Sequence, residues 1–480
     1  SPCAKRFYPQ FRANNFVCVC NSTYCDEYED THLSPGFAVL FSSSENGNRM
    51  RKSTFQLNER RHSFEDSGRI KFDLRVTYQS IIGFGGAFTD SAGINIMALS
   101  QSVRERLLET VFGRNGARYF IDRVPIASTD FSTSRYSYND NSGNLNMSKF
   151  ALAEEDTKFK IPLILRALNL TAGEFRLFSS PWSAPSWMKE TGKMEGPGRL
   201  RKGMEKAWAH YFVRFFEEYF SYGISFWATT VQNEPTSGAF PFYGWQTMHW
   251  DATGERSFVS THLGPLLAAS KAAKEVKIIG LDDYRIWLPA WADEIYSDPA
   301  ASKFIAGIGV HLYMDTLAPL STLTTTHEKH PDKFILATEA CAGFWPLDHG
   351  PKLGEWKRAE AYARNIIEDL NHFVIGWTDW NIAVDTQGGP SWARNFVDAS
   401  IIVNETADEF LKQPIHYAMA HFSRFLRPNS TRIRSLTEEM DESTVLHTAF
   451  VYEGQRILTI LNTLTVEQKI TIEEETEISI

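Results

Sequence analysis

The chain has 480 residues, 43% of them hydrophobic and 22% charged, with a net charge of −9. That length calls for one large domain with satellites, or for two or three domains, and the composition is that of a folded protein. The acidic balance, with no Lys/Arg-rich run, excludes a nucleic-acid partner, and no apolar run approaches the ~18 residues that span a membrane.

Four of the five cysteines, Cys3, Cys18, Cys20 and Cys25, fall within the first 25 residues. The C-x-C-x4-C part of that cluster fits zinc spacing poorly. A pair of disulfides pinning a small strand pair fits better and implies an oxidising compartment. Five N-x-S/T sequons, at Asn21, Asn146, Asn169, Asn404 and Asn429, agree with the secretory route. The remaining cysteine, Cys341, reads as a small buried hydrophobe. Further on, Ile70, Phe72, Leu74 and Val76 alternate on one face, which predicts an antiparallel strand over 67–76.

From about residue 79 the pattern changes to apolar runs alternating with amphipathic stretches. Strands are predicted near 80–85, 117–126, 175–180, 225–232, 276–281, 307–311, 334–338 and 373–381. Helices are predicted over 100–112, 204–222, 257–274, 286–296 and 357–371. Eight strand–helix alternations without a hairpin signal imply a parallel sheet, and eight strands close a (β/α)8 TIM barrel. Past residue 381 come the turn signal Gln387-Gly388-Gly389-Pro390, a helical stretch at 413–426, and period-two strands at 444–451, 456–461 and 468–472. The expected organisation has three parts. A small disulfide-pinned antiparallel sheet comes from 1–27 and 382–413, a discontinuous β-sandwich from 28–78 and 430–480, and the barrel from 79–381 and 414–429.

The strand ends carry the chemistry. The run Ser225-Phe226-Trp227-Ala228-Thr229-Thr230-Val231-Gln232 leads to Asn233-Glu234-Pro235, where the proline ends the strand and favours an extended Glu234. The seventh run ends on Glu339. Two carboxylates at the carboxyl ends of two barrel strands are what glycoside hydrolysis needs. Other strand ends bring Arg123, Asp130, Trp182, Trp187, Asp282, Asp283, His311, Tyr313, Trp377, Asp379, Trp380 and Asn381. Each has a structural alternative: loop packing for the tryptophans, a hydrogen-bonded core histidine for His311, an ion pair between Arg123 and Asp282. Their shared position on one rim favours a sugar site, with indole faces against the pyranose and polar groups on its hydroxyls. Competing motifs fail. Gly83-Phe84-Gly85-Gly86-Ala87-Phe88 puts Phe where a dinucleotide loop needs a small residue, no G-x-S-x-G elbow occurs, and no metal-ligand cluster is evident.

The motifs VCVCNSTYCD, GFGGAFTDSA, RVPIAS, SPWSAPSWMK, NEP, TEACAG, GWTDWN and GGPSWARNFVD together resemble the lysosomal acid β-glucosidases (glucocerebrosidases) of glycoside hydrolase family 30. The resemblance implies a disulfide-bearing small sheet, a discontinuous Ig-like β-sandwich and a catalytic barrel. It implies Glu234 as acid/base and Glu339 as nucleophile. It places Asp130, Trp182, Asn233, Trp380 and Asn395 on the glucose and Arg123, His311 and Tyr313 in support. It implies a retaining β-glucosidase with no cofactor and no metal, acting on glucosylceramide in the lysosome, with an anionic lipid surface and a saposin-type activator as partners. A related retaining glycosidase for a xyloside or glucan, or an inactive sugar-binding homologue, is the alternative. The loop 239–250 is read either as lipid-receiving or as packing. The chain departs from the family pattern at Leu312, usually Trp, at Thr129, usually Cys, and after Thr471, where the family's last strand has no obvious counterpart.

Overall fold

The computed structural model describes residues 2–12, 14–29, 31–57 and 68–475. Eight strands close a barrel: β1 (Gly83–Ala87), β2 (Ile121–Ile126), β3 (Arg176–Pro181), β4 (Ala228–Thr230), β5 (Lys277–Tyr284), β6 (Ile305–His311), β7 (Phe334–Glu339) and β8 (Val374–Asn381). They follow one another around the barrel in chain order, every pair parallel, with β8 beside β1. β4 is shorter than its apolar run suggests. The ladder continues through single bonds beyond it, from Trp227 N–H to Leu177 O (2.8 Å) and from Val231 N–H to Ile279 O (3.2 Å).

The barrel interior is layered by the two-residue period of its strands. Ile82, Ile121, Phe178, Ala228, Ile279 and Leu336 form one buried apolar cluster in the floor. Two residues further along their strands stand Arg123, Ser180, Thr230 and Thr338, all buried and polar. On β5 the step is three residues, from Ile279 to Asp282. The register with β6 shifts between Leu281 and Asp283, and Leu281 and Asp282 both have positive φ (66° and 55°). This bulge re-aims a charged side chain inward, as bulges near active sites do.

Two predicted helices differ in detail. The stretch 257–274 is three pieces, Ala252–Phe258, a wide turn Val259–Leu263 and Gly264–Ala269, opening at residue 252 where the Asp251 side chain caps Gly254 N–H at 2.7 Å. Pro265 supplies no N–H to an α-helical ladder, and the wide turn lies just before it. The helix expected from 286 starts at Ala290, because Pro289 interrupts the chain after a tight turn at Arg285–Trp287.

Segments on both sides of the barrel in the chain feed one five-stranded sheet, in the order Gln455–Asn462, Val445–Tyr452, Thr431–Glu438, Gly68–Ser80, Ile470–Glu474. The last strand lies parallel to Gly68–Ser80, and Ser67, the expected start of that strand, falls outside the described residues. Within the expected sandwich segment 28–78, Phe37–Ser42 and Arg51–Gln56 instead pair with each other. Phe41 of this hairpin packs on Phe425 at 5.0 Å, beside the helix Pro414–Ser423. A second five-stranded sheet joins Lys5–Phe7, Phe16–Cys20, Glu409–Lys412, Ile401–Asn404 and Ala383–Asp385, antiparallel except for the last pair. Disulfides Cys3–Cys18 and Cys20–Cys25 pin its first strands. Among the described residues no helix is long and apolar enough to cross a membrane.

Candidate active site

Glu234 and Glu339 stand at the carboxyl-end mouth of the barrel, both buried. Glu339 closes β7 in an extended strand, as its sequence suggests. Glu234 does not adopt the extended backbone that Pro235 favours. Its φ is +44°, and its N–H is bonded to Asp282 O at 2.9 Å. The left-handed conformation is strained for a non-glycine residue and is imposed by that tertiary bond, which overrides the local preference.

The carboxylates have different neighbours. The Arg123 guanidinium donates through Nη1 to Glu339 Oε2, and Tyr313 OH donates to Oε1 at 2.6 Å. Glu234 Oε1 is 3.0 Å from His311 Nδ1, and Tyr243 OH reaches Oε2 at 3.4 Å. His311 Nε2 is 2.9 Å from Asp282 Oδ1. Burial works against a charged His311 ring, but Glu339 and Asp282 outweigh it and raise His311 to about 10, which favours an imidazolium donating at both nitrogens. Burial pushes Glu339 up from its ordinary 4.5, with His311 and Arg123 pulling it back. A carboxylate oxygen of Glu234, one of Glu339 and a ring nitrogen of His311 lie within 4.8 Å of one another. That spacing suits a metal, but the donor chemistry does not. Arg123 and Tyr313 already occupy both oxygens of Glu339, and the His311 ring is held between Glu234 and Asp282. The other such group, Cys20, Cys25 and Asp26, has its thiols tied up in a disulfide.

The remaining expected sugar-site residues converge here. Asn233 Oδ1 accepts from Arg123 Nη2 at 3.0 Å. Trp182 and Trp380 stack with centroids 5.1 Å apart, and the Arg123 guanidinium lies 4.8 Å from the Trp182 ring centre. Asn395 Nδ2 donates to Asp130 Oδ2 at 2.9 Å, tying the loop after β2 to the segment between the small-sheet strands. Burial pushes Asp130 up to about 7, against the pull of the Asn395 bond and helped by the charges of Glu339 and Glu234.

Other strand-end residues are structural. Trp187 Nε1 donates to Asn139 O (2.8 Å) and Trp377 Nε1 to Asn365 Oδ1 (2.8 Å) on the outer helix Trp356–Asn371. Asp379 accepts from Tyr362 OH (2.7 Å), and Asn381 Oδ1 from Thr89 Oγ1 (2.6 Å). Asp283 braces the Glu234 turn by accepting from Thr236 N–H (2.9 Å) and Oγ1 (2.7 Å). Leu312, at the family's usual Trp position, packs half-buried against the main core.

Sequence reasoning missed Tyr243 and Tyr284, and it left Asp282 as an ion-pair alternative. Tyr284 ends β5 beside Glu234 and meets Tyr313 edge-on at 6.4 Å. Its signal was its place at a barrel-strand end; Tyr243 sits in a loop and has none. Of the expected lipid loop, Met248 and Trp250 are buried, while Phe240 is exposed and Phe242 is 98% exposed. Leu347, in the loop after β7, is 100% exposed, and Trp287, Leu317 and Trp345 are exposed in the loops after β5, β6 and β7. The sequon residues Asn146, Asn169 and Asn429 are exposed; Asn21 and Asn404 are half-buried.

The family model described as the glycosyl hydrolase family 30 TIM-barrel domain matches residues 81–426. Among similar proteins, "Putative glucosylceramidase 3" of Caenorhabditis elegans is 47% identical over 93% of this chain and 86% of its own length. "Lysosomal acid glucosylceramidase" of Mus musculus is 40% identical over 98% of this chain and 92% of its own length. The crystal structure of SrfJ from Salmonella typhimurium superposes with a TM-score of 0.81 at 28% identity, covering 88% of this chain and 92% of that one. A barrel whose mouth gathers two carboxylates and stacked indoles, matched by the family model across nearly all of its length, places this chain in glycosyl hydrolase family 30.

Proposed function

We propose that the chain is a retaining β-glucosidase whose substrate is a lipid-linked glucoside, glucosylceramide. The observation that carries the mechanism is the close approach of the Glu234 and Glu339 oxygens, within 4.8 Å. It supports the ~5–5.5 Å carboxyl separation of retaining enzymes over the ~6.5–9.5 Å of inverting ones.

Glu339 attacks the anomeric carbon as Glu234 gives its proton to the departing glycosidic oxygen, leaving a glucosyl ester on Glu339 and a free alcohol. Ester formation removes the charge of Glu339 and with it the repulsion that opposes an ionised Glu234. Glu234 then takes a proton from water, the hydroxide displaces Glu339, and glucose leaves. Arg123 and Tyr313 hold the nucleophile, Asn233 and Asp130 with Asn395 face the sugar hydroxyls, and Trp182 and Trp380 offer their faces to the ring. No step requires a cofactor.

The names of the mouse and nematode relatives support ceramide as the aglycone and the lysosome as the site of action. The exposed apolar rim at Phe242, Trp287, Leu317, Trp345 and Leu347 supports delivery from a lipid surface, with a saposin-type activator as partner. Disulfides and exposed sequon residues fit passage through the secretory route.

The test is turnover of aryl β-glucoside, aryl β-xyloside, β-1,6-glucan and vesicle-borne glucosylceramide by the wild type and by Glu339→Gln. Glucoside turnover that the substitution abolishes, with the anomer retained in the product, is expected. Near-wild-type turnover in Glu339→Gln, or preference for xyloside or glucan, contradicts the reading.

A further inference from the structure

We propose that Asp282 is the positioning residue that holds both carboxylates of the site in register, Glu339 through Arg123 and Glu234 through His311 and its own backbone. The inference rests on the reading of Glu234 and Glu339 given above.

Asp282 is completely buried. Its Oδ2 is 2.6 Å from Arg123 Nη2 and 2.7 Å from Thr230 Oγ1. Its Oδ1 accepts from Thr338 Oγ1 at 2.6 Å and from His311 Nε2 at 2.9 Å. Each cation it grips turns its other end to one glutamate: Arg123 Nη1 to Glu339 Oε2, His311 Nδ1 to Glu234 Oε1. Its carbonyl oxygen also receives the Glu234 N–H, in the turn where Glu234 has positive φ. One residue thus sets the side chain and backbone of one carboxylate and the side chain of the other.

The backbone is built around this residue. Leu281 and Asp282 sit consecutively in the left-handed region inside a barrel strand, a strained arrangement that needs a compensating gain. On β6, Gly309 leaves room for the bulge. A Cβ there would lie 2.9 Å from Thr338 Oγ1 and 3.2 Å from Asp282 Cα. Without the bulge the two-residue period would place Leu281 in the inward layer and turn Asp282 out of it.

The charge of Asp282 has a specific consequence. Around His311 stand Glu234, Asp282, Glu339, Tyr313 and, further out, Asp315. Burial opposes the imidazolium, and the fixed anion at Nε2 is one of the two main charges that sustain it. Replacing Asp282 by Asn keeps the shape and removes that anion, so the His311 ring holds its proton less tightly and its charged bond to Glu234 weakens. The Asn amide then meets Arg123 and Thr338 with one acceptor oxygen fewer.

The experiment measures kcat and KM of Asp282→Asn and Glu339→Gln on an aryl β-glucoside, with His311 ring nitrogens followed by NMR from pH 5 to 9 in wild type and in Asp282→Asn. In the wild type both ring nitrogens are expected to stay protonated to pH 8 and above. In Asp282→Asn the ring is expected to lose one proton within the range, with kcat down on the order of 100-fold and KM changed only a few-fold, as misplacement of reacting groups predicts. Wild-type kcat in Asp282→Asn, or an unchanged His311 titration, overturns the proposal. So does a wild-type His311 that deprotonates below pH 8, a measurement that stands even where the variant does not fold. Glu339→Gln separates the two levels. Its full activity removes the reading of the glutamates, whereas an inactive Glu339→Gln beside a normal Asp282→Asn removes only the role of Asp282.

Discussion

Tyr313 donates its hydroxyl to Glu339 Oε1 across 2.6 Å, while the Arg123 guanidinium takes Oε2. Both bonds favour the ionised carboxyl, and burial opposes it with a larger effect that leaves Glu339 above its ordinary 4.5. On the proposed mechanism, protonation of Glu339 sets the acid limb of activity. Tyr313→Phe removes a donor to the charged form. The Glu339 carboxyl then binds its proton more tightly, and the acid limb of kcat/KM moves to higher pH by about one to two units, the size of a hydrogen bond to a charged group. A pH–rate profile of the two proteins checks this, and a limb that stays in place or moves down would remove Tyr313 from the control of Glu339.

The proposed role of Glu234 as proton donor has its own signature. Glu234→Gln still accepts and donates hydrogen bonds but has no acidic proton for a leaving group. For an alkyl glucoside kcat is expected to fall by about 10²–10⁴, the usual contribution of general acid catalysis. For a dinitrophenyl glucoside, whose leaving group needs no proton, the first step is expected to stay fast and the glucosyl-enzyme to accumulate as a burst. Equal losses on both substrates would count against Glu234 as the acid.

Phe242 and Leu347 stand almost fully in solvent at the site mouth. If they enter a lipid surface, each removes apolar area from water worth about 1.5–3 kcal/mol. Phe242→Ser and Leu347→Ser are each expected to weaken turnover of vesicle-borne glucosylceramide about tenfold and to leave a soluble aryl glucoside unchanged. Parallel assays on vesicles and in solution decide it, since matching losses would mean the loops serve the glucose site.

Stability has a separate test in the buried charges behind the loop after β2. Lys160 is fully buried, with Nζ 2.9 Å from Asp90 Oδ1 and 3.0 Å from Asp156 Oδ1. Asp90 in turn accepts from Ser132 Oγ (2.5 Å), whose oxygen receives the Thr129 N–H (3.0 Å) in the loop that carries Asp130. Lys160→Met leaves two buried carboxylates without their cation and is expected to destabilise the protein by about 3–5 kcal/mol in urea denaturation. Loss below about 1 kcal/mol would show that the carboxylates are satisfied by other means.

The legible part of the site was the part encoded by strand ends. Trp182, His311, Glu339 and Trp380 each lie in the last two residues of a barrel strand or one residue past it, where an apolar run gives way to polar or aromatic residues, and Arg123 lies inside β2. Asn395 was reachable only through the family motif, because it approaches Asp130 from a segment more than 260 residues later in the chain, at a separation of 265. Tyr243 carries no local mark, since an aromatic residue in a loop packs in most proteins. Asp282 was visible as a charged strand end, but its inward aim depends on a bulge with two positive φ angles, which no alternation pattern announces.

What the sequence determined by itself is the eight-fold alternation, the two glutamates at the ends of the fourth and seventh strands, and the clustered cysteines, because these follow from side-chain periodicity and strand termination within short windows. What only the tertiary structure decided is how the glutamates are held. The left-handed turn at Glu234 contradicts its own local preference, and the bulge at Asp282 contradicts the strand period. Both are sustained by bonds between strands far apart in the chain, Glu234 N–H to Asp282 O and Asp282 to Arg123 and His311. Local strain of this kind persists only where the surrounding barrel over-determines it, and that is a property of the closed fold.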